Sequence, residues 1–214
     1  MGSGPSLPIV VLGLTGSGKT ALSYSIVHKE LFGDTEPSSG SLQTSVTQHG
    51  EIPLSIVDIG GKYPREACIE AVKQAEGIIF VIDATNKDSF VMAAWELYVT
   101  GRLAKPKIPI IVLLNSKMSS SAIPFAELFP LFSKHSLPPL EISEKAGDLD
   151  LKEFTEEKTD HGFLVNKERL NTPLTEFHKG PWNVAPIDNF NDPEEIRKVL
   201  DWITLNLAPD NYYS

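Results

Sequence analysis

Residues 13–20 read Gly-Leu-Thr-Gly-Ser-Gly-Lys-Thr, the spacing Gly-x-x-x-x-Gly-Lys-Ser/Thr with which a short loop wraps a polyphosphate. The chemistry follows from the residue types. Gly13, Gly16 and Gly18 let the backbone curl, so that the N–H groups of this stretch, those of Leu14, Thr15 and Ser17 included, can point at phosphate oxygens. Lys19 brings a cation to the outer phosphates, and the Thr20 hydroxyl is a hard oxygen ligand for Mg²⁺. The surroundings suit the motif. The apolar β-branched run 7–13 reads as a buried strand, and Leu22, Ile26 and Val27 give a helix from Lys19 to about Phe32. That helix points its positive dipole end at the loop.

A second chemical signal lies in 54–63, Leu-Ser-Ile-Val-Asp-Ile-Gly-Gly-Lys-Tyr. Asp58 falls at a strand end, where it can hold Mg²⁺ through water, and Gly61 can offer its N–H to a γ-phosphate. A third is 110–120, an apolar run that leaves the strand at Asn115 and continues Ser116-Lys117-Met118. An asparagine in that place can begin to read a base.

The elements that must position these residues alternate. A loop covers 33–41, a hairpin of 42–48 and 52–58 turns at His49-Gly50, and a helix lies near 64–76. Strand 77–83 leads to a helix over 88–103 with Phe90, Ala93, Ala94 and Leu97 on one face; strand 108–115 leads to a helix near 124–134. Residues 141–180 are acidic and weakly periodic and read as an insertion before a last strand over 182–187. The final helix is strongly marked: Asp192 as N-cap, Pro193 at the first position, a carboxylate at Glu195, then Ile196, Val199, Leu200, Ile203 and Leu207. Interleaved strands and helices imply parallel crossovers with helices on both faces. Ligands in such sheets sit at the carboxyl ends of the strands, where Gly13, Asp58 and Asn115 fall.

Composition bounds the function. With 214 residues, 41% hydrophobic and 22% charged, the chain suits one α/β domain. A net charge of −9 argues against nucleic acid as a main partner. A single cysteine, Cys68, excludes an internal disulfide, and the five histidines lack metal-ligand spacing. No apolar run is long enough to span a bilayer and no secretory signal opens the chain, so the expected location is cytoplasmic. Residues 1–6, Met-Gly-Ser-Gly-Pro-Ser, read as a flexible Gly/Ser-rich start. They also fit the loose pattern for myristoylation of Gly2, the condition on which association with a membrane surface depends.

These segments resemble the Ras-like small GTPases and, among them, the Arf and Arf-like branch. The resemblance rests on the phosphate loop Gly-Leu…Gly-Lys-Thr, on Asp-Ile-Gly-Gly at 58–61 and on Pro-Ser-Ser-Gly at 37–40. Gly-Ile-Ile-Phe-Val-Ile-Asp-Ala-Thr at 77–85 and Val-Leu-Asp-Trp-Ile at 199–203 add to it. It covers about 7–135 and 182–207; the signal-recognition-particle receptor β subunit is a related fit. What it implies is a P-loop G domain with a mostly parallel six-stranded sheet, binding GTP or GDP with Mg²⁺. It implies that Gly13 to Thr20 hold phosphate and Mg²⁺, with Ser38 as the first-switch hydroxyl on the metal and Thr44 as the other candidate. It makes Asp58 and Gly61 second-switch contacts and Asn115 a base contact, with Lys117 beside it. Effectors or regulators would read 33–47 and 58–76.

Three departures stand out. Where the family carries the glutamine that orients the attacking water there is Lys62, which has donors only, so intrinsic hydrolysis is expected to be very slow and no catalytic residue is assigned. Lys62 can instead pair with a γ-phosphate or an acidic partner, or simply be solvated. Where Asn-Lys-x-Asp ends in a base-reading aspartate there is Met118, which puts guanine selectivity in question. The loop that completes the base site is either 142–147 or, preferred here, 184–188, with Ala185 as the contact. Two further functions stand against the switch: a pseudo-GTPase scaffold, and a P-loop kinase. The kinase is disfavoured because Arg65, Arg102, Arg169 and Arg197 are too dispersed to clamp a transferring phosphate.

Overall fold

In the computed structural model, which describes residues 5–28, 42–60, 65–128 and 178–207, six strands build one sheet. They are β1 (Leu7–Leu12), β2 (Leu42–His49), β3 (Ile52–Ile59), β4 (Gly77–Asp83), β5 (Ile110–Asn115) and β6 (Trp182–Ile187), in the spatial order β2-β3-β1-β4-β5-β6. Only β2 runs antiparallel, closing the hairpin with β3 across a turn where Gly50 takes φ 59°. The other neighbours pair in parallel. Their crossovers use α1 (Lys19–His28), α2 (Arg65–Gln74) and α3 (Phe90–Leu103); α4 (Pro193–Asn206) closes the described chain.

Both faces of the sheet are covered. On one, Leu22 and Ile26 of α1 and Ile196, Val199, Leu200 and Ile203 of α4 pack on Ile9, Val11, Ile79 and Leu113. On the other, Cys68 and Val72 of α2 and Phe90, Ala94 and Leu97 of α3 meet Val10, Ile78, Phe80 and Val112. Strands buried on both faces explain why β1, β4 and β5 are continuous apolar runs rather than alternating ones. β2 lies at the sheet's edge and reads instead as a mixed strand, Leu-Gln-Thr-Ser-Val-Thr-Gln-His. Each buried Ile or Leu contributes about 1.5–3 kcal/mol. The four apolar residues α4 buries therefore anchor it firmly.

The final helix begins as its sequence predicts, with one difference. Asp192 accepts from Glu194 N at 2.9 Å and Pro193 occupies the first turn. Glu195, expected to fold back onto the N-cap amide, reaches farther and accepts from Asp188 N (2.9 Å) and Asn189 N (3.0 Å). The fold also resumes earlier than the expected end of the insertion. His178 is buried and its Nε2 bonds the Ile108 carbonyl at 2.9 Å, tying the approach to β6 to the start of β5. Residues 125–128 are helical, the described part of the helix expected near 124–134. Gly2, Ser38, Gly61, Lys62 and most of the 141–180 insertion lie outside the described residues.

Candidate nucleotide-binding site

Between the end of β1 and the start of α1, residues 13–18 turn the chain with Gly13 at φ 141°, Gly16 at 79° and Gly18 at 99°. Two of these positions admit no side chain for a second reason. A Cβ on Gly13 would lie 2.2 Å from the Val81 carbonyl oxygen and 2.8 Å from Ser17 Oγ, and one on Gly18 would lie 2.6 Å from Asn115 Nδ2 and 2.7 Å from the Phe190 ring. The loop is closed by Ser17 N–H donating to Leu14 O (3.1 Å) and Leu22 N–H to Gly18 O (2.9 Å). Lys19 is only 5% exposed, and its ammonium donates to Leu14 O at 3.3 Å. The cradle thus joins a glycine-turned backbone to a buried cation, a donor set that fits a phosphate.

A second wall beside the cradle is assembled by β3 and α1. Asp58, 3% exposed, sits opposite Val11 of β1 and Gln43 of β2. It shares with Thr20, Ser23, Gln43 and Ser45 the wall of a cavity of about 80 Å³. A hydroxyl and a carboxylate facing one small cavity are a hard-oxygen pair of the kind Mg²⁺ takes. Strand alternation settles the place of Thr44: it lines the groove on the opposite face of β2, with Val10, Val57 and Ala71. Thr44 is therefore turned away from the cavity that Gln43 and Ser45 face with Asp58.

The base side is built differently. Asn115 is buried, its Nδ2 donates to Ser17 O at 2.9 Å, and its Oδ1 accepts from Lys117 N at 2.9 Å. Lys117 and Met118 follow in left-handed conformations, φ 53° and 54°. The Lys117 ammonium is directed to Asp83 Oδ2 at 2.5 Å, and Met118 is 72% exposed. Ala185 does not reach this rim. It sits inside β6 opposite Leu113, and the strand runs on to Ile187 opposite Asn115. Pro186 is carried within the strand because β6 lies at the sheet's edge, where a proline is tolerated.

The loop that does reach the rim begins at Asp188. Its Oδ1 accepts from Ser116 Oγ at 2.6 Å, and Phe190 lies against Gly18. Ser116 and Phe190 were missed by spacing alone, and Asp188 entered only as the last residue of the preferred 184–188 loop; the available signal was a polar pair, Asp188-Asn189, just before the Asp192-Pro193 helix start. The structure thus brings Gly13 to Thr20, Asp58 and Asn115 to one end of the sheet, with Lys117 beside them.

A family model described as the ADP-ribosylation factor family matches residues 2–146. The chain belongs to the ADP-ribosylation factor family. Among its relatives, human ADP-ribosylation factor-like protein 4C is 29% identical over 140 residues, covering 63% of this chain and 72% of the relative. Human ADP-ribosylation factor-like protein 4D is 28% identical over 58% of this chain and 64% of its own. ADP-ribosylation factor-like protein 1 of Saccharomyces cerevisiae is 34% identical over 46% of this chain and 53% of its own. The fold is also that of the Arl6 BBS3 small GTPase from Trypanosoma brucei, solved with the nucleotide analogue GppNp, with a TM-score of 0.61 and 15% identity over 94% of this chain and 96% of that one. The Arf-family assignment and the six-stranded G-domain sheet agree with the resemblance carried by the sequence motifs.

Proposed function

We propose that this Arf-family chain is a nucleotide-dependent switch that binds GTP and GDP with Mg²⁺ and hydrolyses GTP very slowly. One observation carries the reading: a glycine-lined turn that excludes side chains, with a buried Lys19 at its centre and Thr20 and Asp58 on one adjoining cavity. The loop amides and Lys19 hold the β- and γ-phosphates. Thr20 and, from the first switch, Ser38 would supply hydroxyl oxygens to Mg²⁺ and Asp58 would hold it through water; the ion would neutralise phosphate charge. Gly61 offers its amide to the γ-phosphate, so that 33–47 and 58–76 take a nucleotide-dependent form that partner proteins read. Lys62 cannot accept a hydrogen bond from an attacking water, and turnover is slow for that reason. The protein works in the cytoplasm, and on a membrane surface if Gly2 is acylated; among the described residues no helix is long and apolar enough to cross a membrane.

The second reading, a scaffold with little base selectivity, is favoured by Met118, whose side chain is 72% exposed where the family places its base-reading aspartate. The deciding experiment identifies the co-purifying nucleotide and competes it with GTP, GDP and ATP, with and without Mg²⁺. Magnesium-dependent exchange that prefers guanine supports the switch; equal competition by ATP, or no exchange at all, supports the scaffold. Lys62→Gln should raise single-turnover hydrolysis by at least about tenfold if position 62 orients the water.

A further inference from the structure

We propose that Asp188, from the loop after β6, is the carboxylate that reads guanine in this protein, taking the place of the aspartate absent at Met118. The proposal rests on the nucleotide-binding reading above and names the residue that sets its base specificity. Parallel pairing of Asn115 with Ile187 starts the two loops side by side at the carboxyl edge of the sheet. On that rim the Asn115 amide is held 2.9 Å from Ser17 O, and the Phe190 ring lies against Gly18. Asp188 is the residue next after Ile187, and its exposed side chain is pinned by Ser116 at 2.6 Å.

Guanine presents two adjacent donors, N1–H and the 2-amino group, and only an anionic acceptor with two oxygens matches both. Residues 115–118 contain no acid. Two other carboxylates near this end are already engaged. Asp83 accepts from Lys117, from Thr85 N and from Thr85 Oγ1. Glu195 accepts from two loop amides. Asp188 accepts one hydroxyl, and a carboxylate has about four acceptor sites, so capacity for two base donors is left.

The surroundings also hold it in place. The grip of Glu195 on Asp188 N and Asn189 N orders the loop backbone before any ligand arrives, which lowers the cost of binding. Ser116 Oγ accepts from Met118 N at 3.2 Å while donating to Asp188, so the Asn115 loop and the Asp188 loop are joined through one hydroxyl. Ser116 is a positioning residue. The acceptor has moved from one loop to its neighbour, and the orienting hydroxyl stands on the loop that lacks the acid.

The test is fluorescent-nucleotide titration of the full chain with Mg²⁺, using GDP, xanthosine diphosphate (XDP) and inosine diphosphate (IDP). Asp188→Asn exchanges one acceptor for a donor. It should weaken GDP by at least about tenfold and strengthen XDP by a similar factor, reversing their order while the thermal midpoint stays put. IDP, which lacks the 2-amino group, should bind more weakly than GDP to the unaltered protein and equally to Asp188→Ala. Ser116→Ala should reduce GDP preference by a smaller factor. An Asp188→Asn protein that keeps the original order of GDP over XDP overturns the proposal alone. An unaltered chain that binds none of the three overturns the proposal together with the nucleotide-binding reading beneath it.

Discussion

On the nucleotide-binding reading proposed above, recognition at the phosphate end is carried by the backbone and at the base end by side chains. The turn at 13–18 is defined by what cannot be there: a Cβ on Gly13 would collide with the Val81 carbonyl at 2.2 Å. Those constraints tie residue type to position. At the base end, a carboxylate can be offered from any loop that reaches the rim. There Met118 is 72% exposed, while Asp188 of the next loop bonds Ser116 at 2.6 Å. If Asp188 reads the base as proposed, contacts made by amides tie residue type to position, whereas a contact made by a side chain can be supplied from an adjacent loop.

The largest expected effect would break this contrast at its stronger end. Lys19→Ala should lower affinity for every nucleotide, whatever its base, by about a hundredfold or more in equilibrium titration, because charge-assisted phosphate contacts are lost. A base-dependent loss instead would mean that the two ends are not separable. Gly13→Ala should come next. The overlap with Val81 O and a φ of 141° make a destabilisation of about 3 kcal/mol the expected result in a denaturant titration.

A smaller effect sharpens the picture of the base end. Lys117→Ala removes an ion pair to Asp83 whose partners are 38% and 12% exposed, so with solvent screening the stability loss should stay at or below about 1 kcal/mol and shrink with added salt. The smallest effect belongs to the scaffold under both ends. Burial holds the His178 pKa below its ordinary value, so the unfolded chain binds a proton more readily there than the folded one. Stability should therefore fall as pH drops below 6.5 and level off once the folded-state imidazole itself titrates. His178→Gln should flatten that slope in urea midpoints measured on either side of it.

How much was legible follows the same division. The cradle, the hairpin turn and α4 were readable because each has a local physical cause: glycine geometry, a turn, a capped amphipathic face. The position of Asp58 at a strand end was equally local. The last strand is expected over 182–187, where β6 lies, yet Ala185 also reads as part of a base-contacting loop over 184–188; the β5–β6 register, which sets Ala185 opposite Leu113, separates the two readings. Thr44 could not be separated from its neighbours until the hairpin's facing was known, since one residue of register exchanges the two sides. The Ser116–Asp188 pair spans 72 positions along the chain. No spacing rule reaches that far, and only the β5–β6 register makes the two residues neighbours.

Asn115 has a consequence for anyone dissecting this protein by mutation. Its amide nitrogen fastens the carbonyl of Ser17 in the cradle while its oxygen shapes the turn at Lys117. On the proposed reading, truncating it would slacken grip and discrimination in one stroke, so a null phenotype at this position could be credited to neither alone. Genetic separation of the two has to start on the far side of that bracket, where a substitution touches purine choice and leaves the hold on the phosphates alone.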